Sequence, residues 1–362
     1  MFRRGGLETA MTRGILYVGT LSRGETSLYR FRTLQRLQQH VIPFDLAMYS
    51  YRLGKMNALV SRFPMQPLIY KVNADLLAAV QKEQPEVVWF DKPTNFTPAT
   101  MLRVKESGAL TVSYVHDTPF CRHAGGRWDW YQYFKIIHML DLHCIVRNAD
   151  IPRYQGRSLN FIKIQLSYDP CEHFPPQDCW SDADRTRDAS FTGSPFDDRP
   201  QFLRALIETY KLPVVISGPK WGKVFSKQEM RQYTRGGMLR GAEYRENIWK
   251  SKINLAFITQ NEEDVAHKAF EIAACGGFLL ALRSPGHKAC FEEGKEAEFF
   301  SSLEECADKI RFYLDHPVER EEIARRGCER AKRSGYDNDT QLSRVLKKLD
   351  ELRTTADGII GA

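Results

Sequence analysis

The sequence predicts an α/β protein made of two parallel-sheet domains, and three observations support that reading. Short apolar strands alternate with amphipathic helices from residue 14 onward, the alternation restarts near residue 189, and 362 residues suffice for two ordinary cores. Polar residues gather at strand ends, where open parallel sheets place their chemistry.

Residues 14–19, GILYVG, read as a compact apolar strand. The polar turn TLSRGETS follows, then LYRFRTLQRLQQH, whose apolar members recur every three or four residues as in a helix. Gly24, Thr26 and Ser27 in that turn fit two roles: backbone amides facing an anion or sugar, or an ordinary turn with an N-cap. The pattern repeats through VIPFDL, the helix around DLLAAVQKEQ, the strand EVVWFD, a helix near TPATMLRVKESG and the strand ALTVSYVHD. DLHCIVRNA and LNFIKIQLSYDP read as the last strands of this half. Asp91 and Lys92 end one strand, and His116 and Asp117 end another. A carboxylate beside an imidazole can fix its tautomer, so His116 and Asp117 are a candidate acid/base pair, with a capping Asp and a surface His as the plainer alternative.

The Pro-, Asp- and Arg-rich stretch DPCEHFPPQDCWSDADRTRD reads as a linker. The second half restarts with ASFTGS, a helix near PQFLRALIETYK and the strand LPVVISGPKWGK, and continues with the helix EYRENIWKSK and the strand INLAFI. In HKAFEIAACGGFLL, small and apolar residues make a short helix, Gly276 and Gly277 stop it, and Phe278 to Leu282 read as a buried strand. Glu271 is the anomaly, because a carboxylate among apolar positions is costly to bury unless it bonds something specific. The loops of this half bring Gly193, Ser194, Gly218, Lys220, Trp221 and Lys223 to one side and His267, Lys268 and Glu271 to the other. Cations beside glycines suit a diphosphate, and tryptophan offers a stacking face. Residues 302–334 are charged and helical, and the final stretch YDNDTQLSRVLKKLDELR carries capping residues ahead of one apolar stripe.

Composition narrows the partners little. The net charge of +7 is spread along the chain and suits nucleotides, peripheral contact with an anionic membrane and, least of all, nucleic acid. No stretch approaches the roughly 18–20 apolar residues of a membrane span, and the basic start lacks an apolar signal-peptide core, so a cytoplasmic location is expected. Eight dispersed cysteines without a CxxC suggest neither zinc nor disulfides but reduced, buried thiols.

These motifs resemble GT-B glycosyltransferases, in particular the CgeB-like group typified by spore-maturation glycosyltransferases. The resemblance spans residues 14 to about 346 and rests on SFTGSPFDDRPQFLRAL, SGPKWGK, GAEYRENIWKSKINLAF, HKAFEIAACGGFLL, EEGKEAEFFSSLEECADKIRFYLDHPVEREEIARRG and YDNDTQLSRVL. In the first half, VHDTPF resembles the group's acidic dipeptide before Pro and Phe, with His116 replacing the first acid.

The resemblance implies two Rossmann-like domains facing a cleft: residues 1–175 on the acceptor side, residues 188–335 binding the nucleotide sugar, and a final helix, 336–355, crossing back to the first. It implies transfer of a sugar to an acceptor hydroxyl of a glycan, lipid-linked or other molecule; the sequence itself calls for no metal or cofactor, since DND at 337–339 precedes a terminal helix and reads as an N-cap. Glu271 would bond the ribose, the turn at Gly276 and Gly277 would allow close packing, and cations at 220, 223, 267 and 268 would neutralise diphosphate. Lys268 stands where the group often has Arg, and Glu263 completes a two-glutamate spacing known from retaining enzymes, with retention or inversion left open. Two other functions stay in view: a catalytically silent GT-B-shaped subunit that binds nucleotide or glycan, and a nucleotide-sugar epimerase.

Overall fold

The computed structural model describes residues 14–50, 67–120, 130–177, 180–258 and 265–360. Backbone contacts divide the chain into two units, residues 1–164 with 342–362, and residues 165–341.

The first unit runs β1 (Gly14–Gly19), α1 (Thr26–Arg36), β2 (His40–Asp45), α2 (Ala47–Ser50), α3 (Pro67–Glu83), β3 (Val87–Asp91) and α4 (Pro98–Glu106). It continues with β4 (Leu110–Val115), α5 (Tyr131–Ile136), β5 (Leu142–Ile145), α6 (Ile151–Gln155) and β6 (Phe161–Lys163). All pairings are parallel, in the order β2-β1-β3-β4-β5-β6. Every residue of β3, VVWFD, is buried, the continuous apolar run expected of a strand covered on both faces. Thr97 caps α4 by accepting from the Thr100 amide at 3.3 Å, and Pro98 occupies the first helical position, where it sacrifices no hydrogen bond. Helix α3 begins at Pro67, upstream of the DLLAAVQKEQ segment by which the sequence marks it.

The second unit runs β7 (Arg187–Thr192), α7 (Arg199–Glu208), β8 (Val214–Ser217), α8 (Lys227–Tyr233), α9 (Ala242–Trp249), β9 (Ser251–Ala256) and α10 (His267–Ala274). It continues with β10 (Leu279–Leu282), α11 (Pro285–Cys290), β11 (Glu298–Phe300), α12 (Leu303–Asp315) and α13 (Pro317–Arg333). The sheet is parallel, in the order β11-β10-β9-β7-β8. The charged stretch 302–334 is two helices, parted at His316 because Pro317 starts a helix rather than continuing one. The edge strand β11 has only three residues and no sequence signature. Its buried Glu298 is held by Tyr313 Oη at 2.6 Å and by Lys309.

The segment read as a linker belongs in part to the wall of this unit. Tyr168 forms a parallel bridge with Asp337, Trp249 Nε1 donates to the Phe174 carbonyl at 2.9 Å, and Arg245 Nη1 donates to the Glu172 carbonyl at 2.7 Å. The last helix, α14 (Asn338–Ile360), opens in the second unit, where Asp337 accepts from the Thr340 amide at 2.7 Å and Ser167 Oγ donates to Asn338 Oδ1 at 2.6 Å. From Leu342 it belongs to the first unit: Arg344 donates to the Lys163 carbonyl, Arg353 pairs with Glu86, and Leu342, Val345, Leu346 and Leu349 are buried. Among the described residues no helix is long and apolar enough to cross a membrane. Cys144, Cys275, Cys290, Cys306 and Cys328 are buried as expected, whereas Cys171 is exposed.

One buried group gives the first unit a pH response. His143 Nδ1 lies 2.7 Å from Ser113 Oγ and 3.1 Å from Tyr133 Oη, and Nε2 lies 3.0 Å from the Ile137 carbonyl, which fixes the proton on Nε2. Burial pushes its pKa down from 6.5 to about 4. The folded state thus disfavours the protonated ring. The associated stability is fully present above pH 6.5 and is lost as pH falls toward 4, with about 2 kcal/mol gone by pH 5. Denaturant unfolding at pH 7 and pH 5 should show this loss in the native protein and a smaller one in His143→Gln.

Candidate functional site

In the second unit, the site centres on Glu271. Helix α10 carries it one turn from its start, on a face that buries Ala269, Phe270, Ile272, Ala273 and Ala274, so the carboxylate is only 6% exposed. Tyr244 Oη, from α9, donates to Glu271 Oε2 at 2.8 Å. The second oxygen, Oε1, faces His173 Nε2 and His267 Nδ1, each at 3.7 Å. Burial alone would raise this carboxyl, but the charges of His267, His173 and Lys268, helped by the Tyr244 hydrogen bond, bring it down to about 2. Glu271 is therefore an ionised acceptor with one oxygen engaged by tyrosine and the other set before imidazoles.

The two cations ahead of Glu271 divide their roles. His267 Nε2 lies 2.8 Å from the Ser167 carbonyl, which can only accept, and Nδ1 faces a carboxylate, which also only accepts. His267 is thereby set beside Glu271 and the Ser167 carbonyl. Lys268 is the outward cation: its Nζ sits 5.4 Å from the Tyr244 ring centroid, and the residue is half-buried.

The glycines of the motif position helices. Gly276 (φ +69°) follows the end of α10, and the amide of Gly277 closes the turn on the Ile272 carbonyl at 3.0 Å. A Cβ on Gly277 would lie 2.7 Å from Ile248 Cγ2, so its absence lets α9, and with it Tyr244, pack against the turn.

On the other side of the sheet's carboxyl edge, Gly218 and Gly193 touch. Gly218 has φ +139°, and a Cβ there would lie 2.0 Å from the Gly193 carbonyl oxygen. Gly218→Ala should therefore cost about 2–4 kcal/mol of stability in a denaturant titration, through both strain and collision. Trp221 does not offer the open stacking face expected of it. It is 1% exposed, packs on Phe225 with ring centroids 5.0 Å apart, and donates from Nε1 to the Gly193 carbonyl at 2.8 Å. Its indole is spent on the turn. Ser194 is half-buried, with its carbonyl accepting from the Phe196 amide, and Lys220 and Lys223 are exposed after β8. Strand β7 separates β8 from β9, the strand that precedes α10, so two strand spacings, about 10 Å, lie between β8 and β9. Glu263 lies outside the described residues.

The first unit gathers its own polar cluster at the ends of β3 and β4. Asp91 accepts from Tyr17 Oη at 2.6 Å and from Arg30 Nε and Nη2 at 2.7 and 3.1 Å, while the Arg30 guanidinium lies 4.0 Å from the Tyr114 ring centroid. Burial opposes ionisation of Asp91, but Arg30 outweighs it and holds the carboxyl low. The loop hydroxyls are tied into this cluster: Thr26 Oγ1 accepts from Arg30 Nη2 at 3.2 Å, and Ser27 Oγ lies 3.3 Å from Tyr17 Oη. Neither caps α1, whose N-cap is Glu25, and Gly24 turns just before it with φ +82°.

His116 and Asp117 do come together. Asp117 Oδ2 lies 3.3 Å from His116 Nε2 and accepts from Lys92 Nζ at 2.8 Å. The carboxylate fixes the proton on Nε2 and leaves the lone pair on Nδ1, a buried atom without a hydrogen-bond partner. Burial, with Arg30 and Lys92 nearby, pushes the imidazole down to about 4 against the pull of Asp117 and Asp91. About a third of the side chain stays accessible, so the direction is what matters: the ring is neutral at pH 7. Asp117 stays ionised, since His116 and Lys92 outweigh its burial.

Sequence reasoning missed His173, Tyr244, Arg30 and Tyr17. His173 lay in the presumed linker. Arg30, a charge on the buried face of α1, was the legible signal for a partner such as Asp91. Among the described residues no group of three or more His, Cys, Asp or Glu side chains converges on a metal site.

Over 93% of this chain and 99% of the other, the structure matches HepE of Anabaena in complex with UDP-glucose, with a TM-score of 0.66 at 13% identity. The fold is GT-B. Sucrose-phosphate synthase from Thermosynechococcus elongatus matches this GT-B chain over 94% of its length and 100% of that protein's, with a TM-score of 0.64 at 12% identity. A protein described as a putative UDP-N-acetylglucosamine 2-epimerase, from Listeria monocytogenes, matches over 93% and 95%, with a TM-score of 0.57 at 12% identity. Residues 199–347 match the family described as Glycosyl transferase-like. No curated protein sequence matches the chain significantly.

Proposed function

We propose that this protein transfers a sugar from a nucleotide-sugar donor to an acceptor hydroxyl, with the second unit holding the nucleotide. The observation that carries the reading is Glu271, an ionised, buried carboxylate whose Oε1 is turned away from its tyrosine partner. Such an oxygen suits the vicinal hydroxyls of a ribose, which donate in pairs. Lys268 then balances the diphosphate, joined by the exposed Lys220 and Lys223, and the charge on the leaving group is stabilised as the anomeric C–O bond breaks. In the first unit His116, neutral and beside Asp117, is the base we assign to the acceptor hydroxyl, and Asp117 stabilises the imidazolium that results. Complexes of HepE with UDP and with UDP-glucose support a uridine-linked donor for this chain.

The test is a panel of nucleotide sugars read by thermal shift, since a ligand that binds only the folded state raises the melting temperature. A donor that stabilises the native protein but not Glu271→Gln supports the assignment, and a panel without any such donor refutes it. Incubation of that donor without acceptor separates transfer from epimerisation: an epimerised nucleotide sugar would make the protein an epimerase. Binding without turnover, given a range of acceptors, would make it a silent subunit.

A further inference from the structure

Helix α9 has two working flanks. One carries Tyr244 toward Glu271 and Arg245 toward Glu172. The other carries Glu243, Glu246, Asn247 and Lys250, spaced as one helical stripe, and with Arg187, Arg235, Gly236 and Leu239 it lines a cavity of about 230 Å³.

The charges of this cavity are unbalanced. Arg187 Nη1 donates to Asn247 Oδ1, and Asn247, buried, is fixed in turn by donating from Nδ2 to Thr192 Oγ1 at 3.0 Å. Arg235 Nη1 donates to the backbone carbonyls of Arg231 and Thr234 at 3.0 and 2.9 Å, and its own backbone is held by Ile216 and Ser217. Among the described residues neither guanidinium has a carboxylate partner. Burial, and after it the neighbouring Arg235, lower the pKa of Arg187. Lys250 is matched by Glu246 at 3.1 Å, and Glu243 is exposed. Arg187, held in place by the buried Asn247, and the exposed Arg235 line the same cavity, where an anion can accept from both guanidinium groups.

We propose that this cavity binds a small phosphate-bearing anion, held between Arg187 and Arg235, on the flank of α9 opposite Glu271. A phosphoryl group accepts from two guanidinium forks at once, which a chloride or a single carboxylate oxygen does not match. The volume exceeds that of one phosphate, since a water occupies about 30 Å³, and leaves room for a short organic group beside Leu239.

The experiment is calorimetric titration of the full chain with inorganic phosphate and with glycerol 3-phosphate, in phosphate-free buffer at low salt. Saturable binding is expected, weakened at least tenfold in Arg187→Gln/Arg235→Gln and unchanged in Glu271→Gln. Arg235 is exposed, so Arg235→Gln alone serves as a variant that keeps the fold, and several-fold weakening is expected there too. Tighter binding of glycerol phosphate would assign the site to a phosphorylated metabolite, and equal affinities would assign it to the anion itself. Absence of saturable binding, unchanged affinity in both arginine variants, or loss of binding in Glu271→Gln overturns the proposal.

Discussion

Glu271→Gln is expected to weaken nucleotide-sugar binding about ten- to a hundredfold while leaving the melting temperature of the free protein within a few degrees of native. The amide keeps the volume and can still accept from Tyr244, so packing survives. What goes is the negative charge facing His173, His267 and the proposed ribose hydroxyls, worth about 1.5–3 kcal/mol for a charged hydrogen bond. Glu271→Ala should weaken binding at least as much and also lower stability, because it empties a buried position among His173, Tyr244 and His267. Calorimetry with the preferred donor decides the matter, and equal affinity for the native protein and the glutamine variant would sink the ribose assignment.

The second large effect is expected at His116 and Asp117. His116→Ala should lower kcat about a hundred- to ten-thousandfold, the usual range for a positioned acid or base, with donor affinity nearly unchanged because the proposed donor residues, Glu271 among them, belong to the second unit. Asp117→Asn should lower kcat less, since the amide no longer stabilises an imidazolium but can still accept from Nε2. The sign of the pH dependence follows from the depressed pKa. The ring must be neutral to accept a proton, so activity should persist below pH 6.5 and fall only toward about 4. Steady-state rates from pH 4 to 8 test this, and an acid limb at 6.5 that survives in His116→Ala would remove His116 from the chemistry.

The alternation of apolar strands with helices was legible because buried parallel strands such as VVWFD are continuous apolar runs, which composition alone exposes. The three-residue β11 was not, since nothing in EFF distinguishes an edge strand from a loop. At the site, Glu271 stood out as a carboxylate among apolar positions, whereas its partner His173 came from a segment whose Pro and Asp content signals a linker. Trp221 shows the opposite error. A tryptophan after a Gly-rich strand end reads as a stacking face, but its indole N–H found an acceptor at Gly193, and the ring went into the core. Sequence reports residue type and spacing, while the partner that claims a donor or acceptor is a product of the tertiary fold.

The division of α14 bears on how the protein is made. Residues 165–341 form a unit that is continuous in the chain, whereas the first unit takes Leu342, Val345, Leu346 and Leu349 from the extreme end of the sequence. During synthesis the N-terminal sheet leaves the ribosome first, yet it waits for the last helix until the whole of the other unit has been translated. The first unit is thus completed only after the second, and in the interval its uncovered apolar surface is exposed to chaperones and to aggregation.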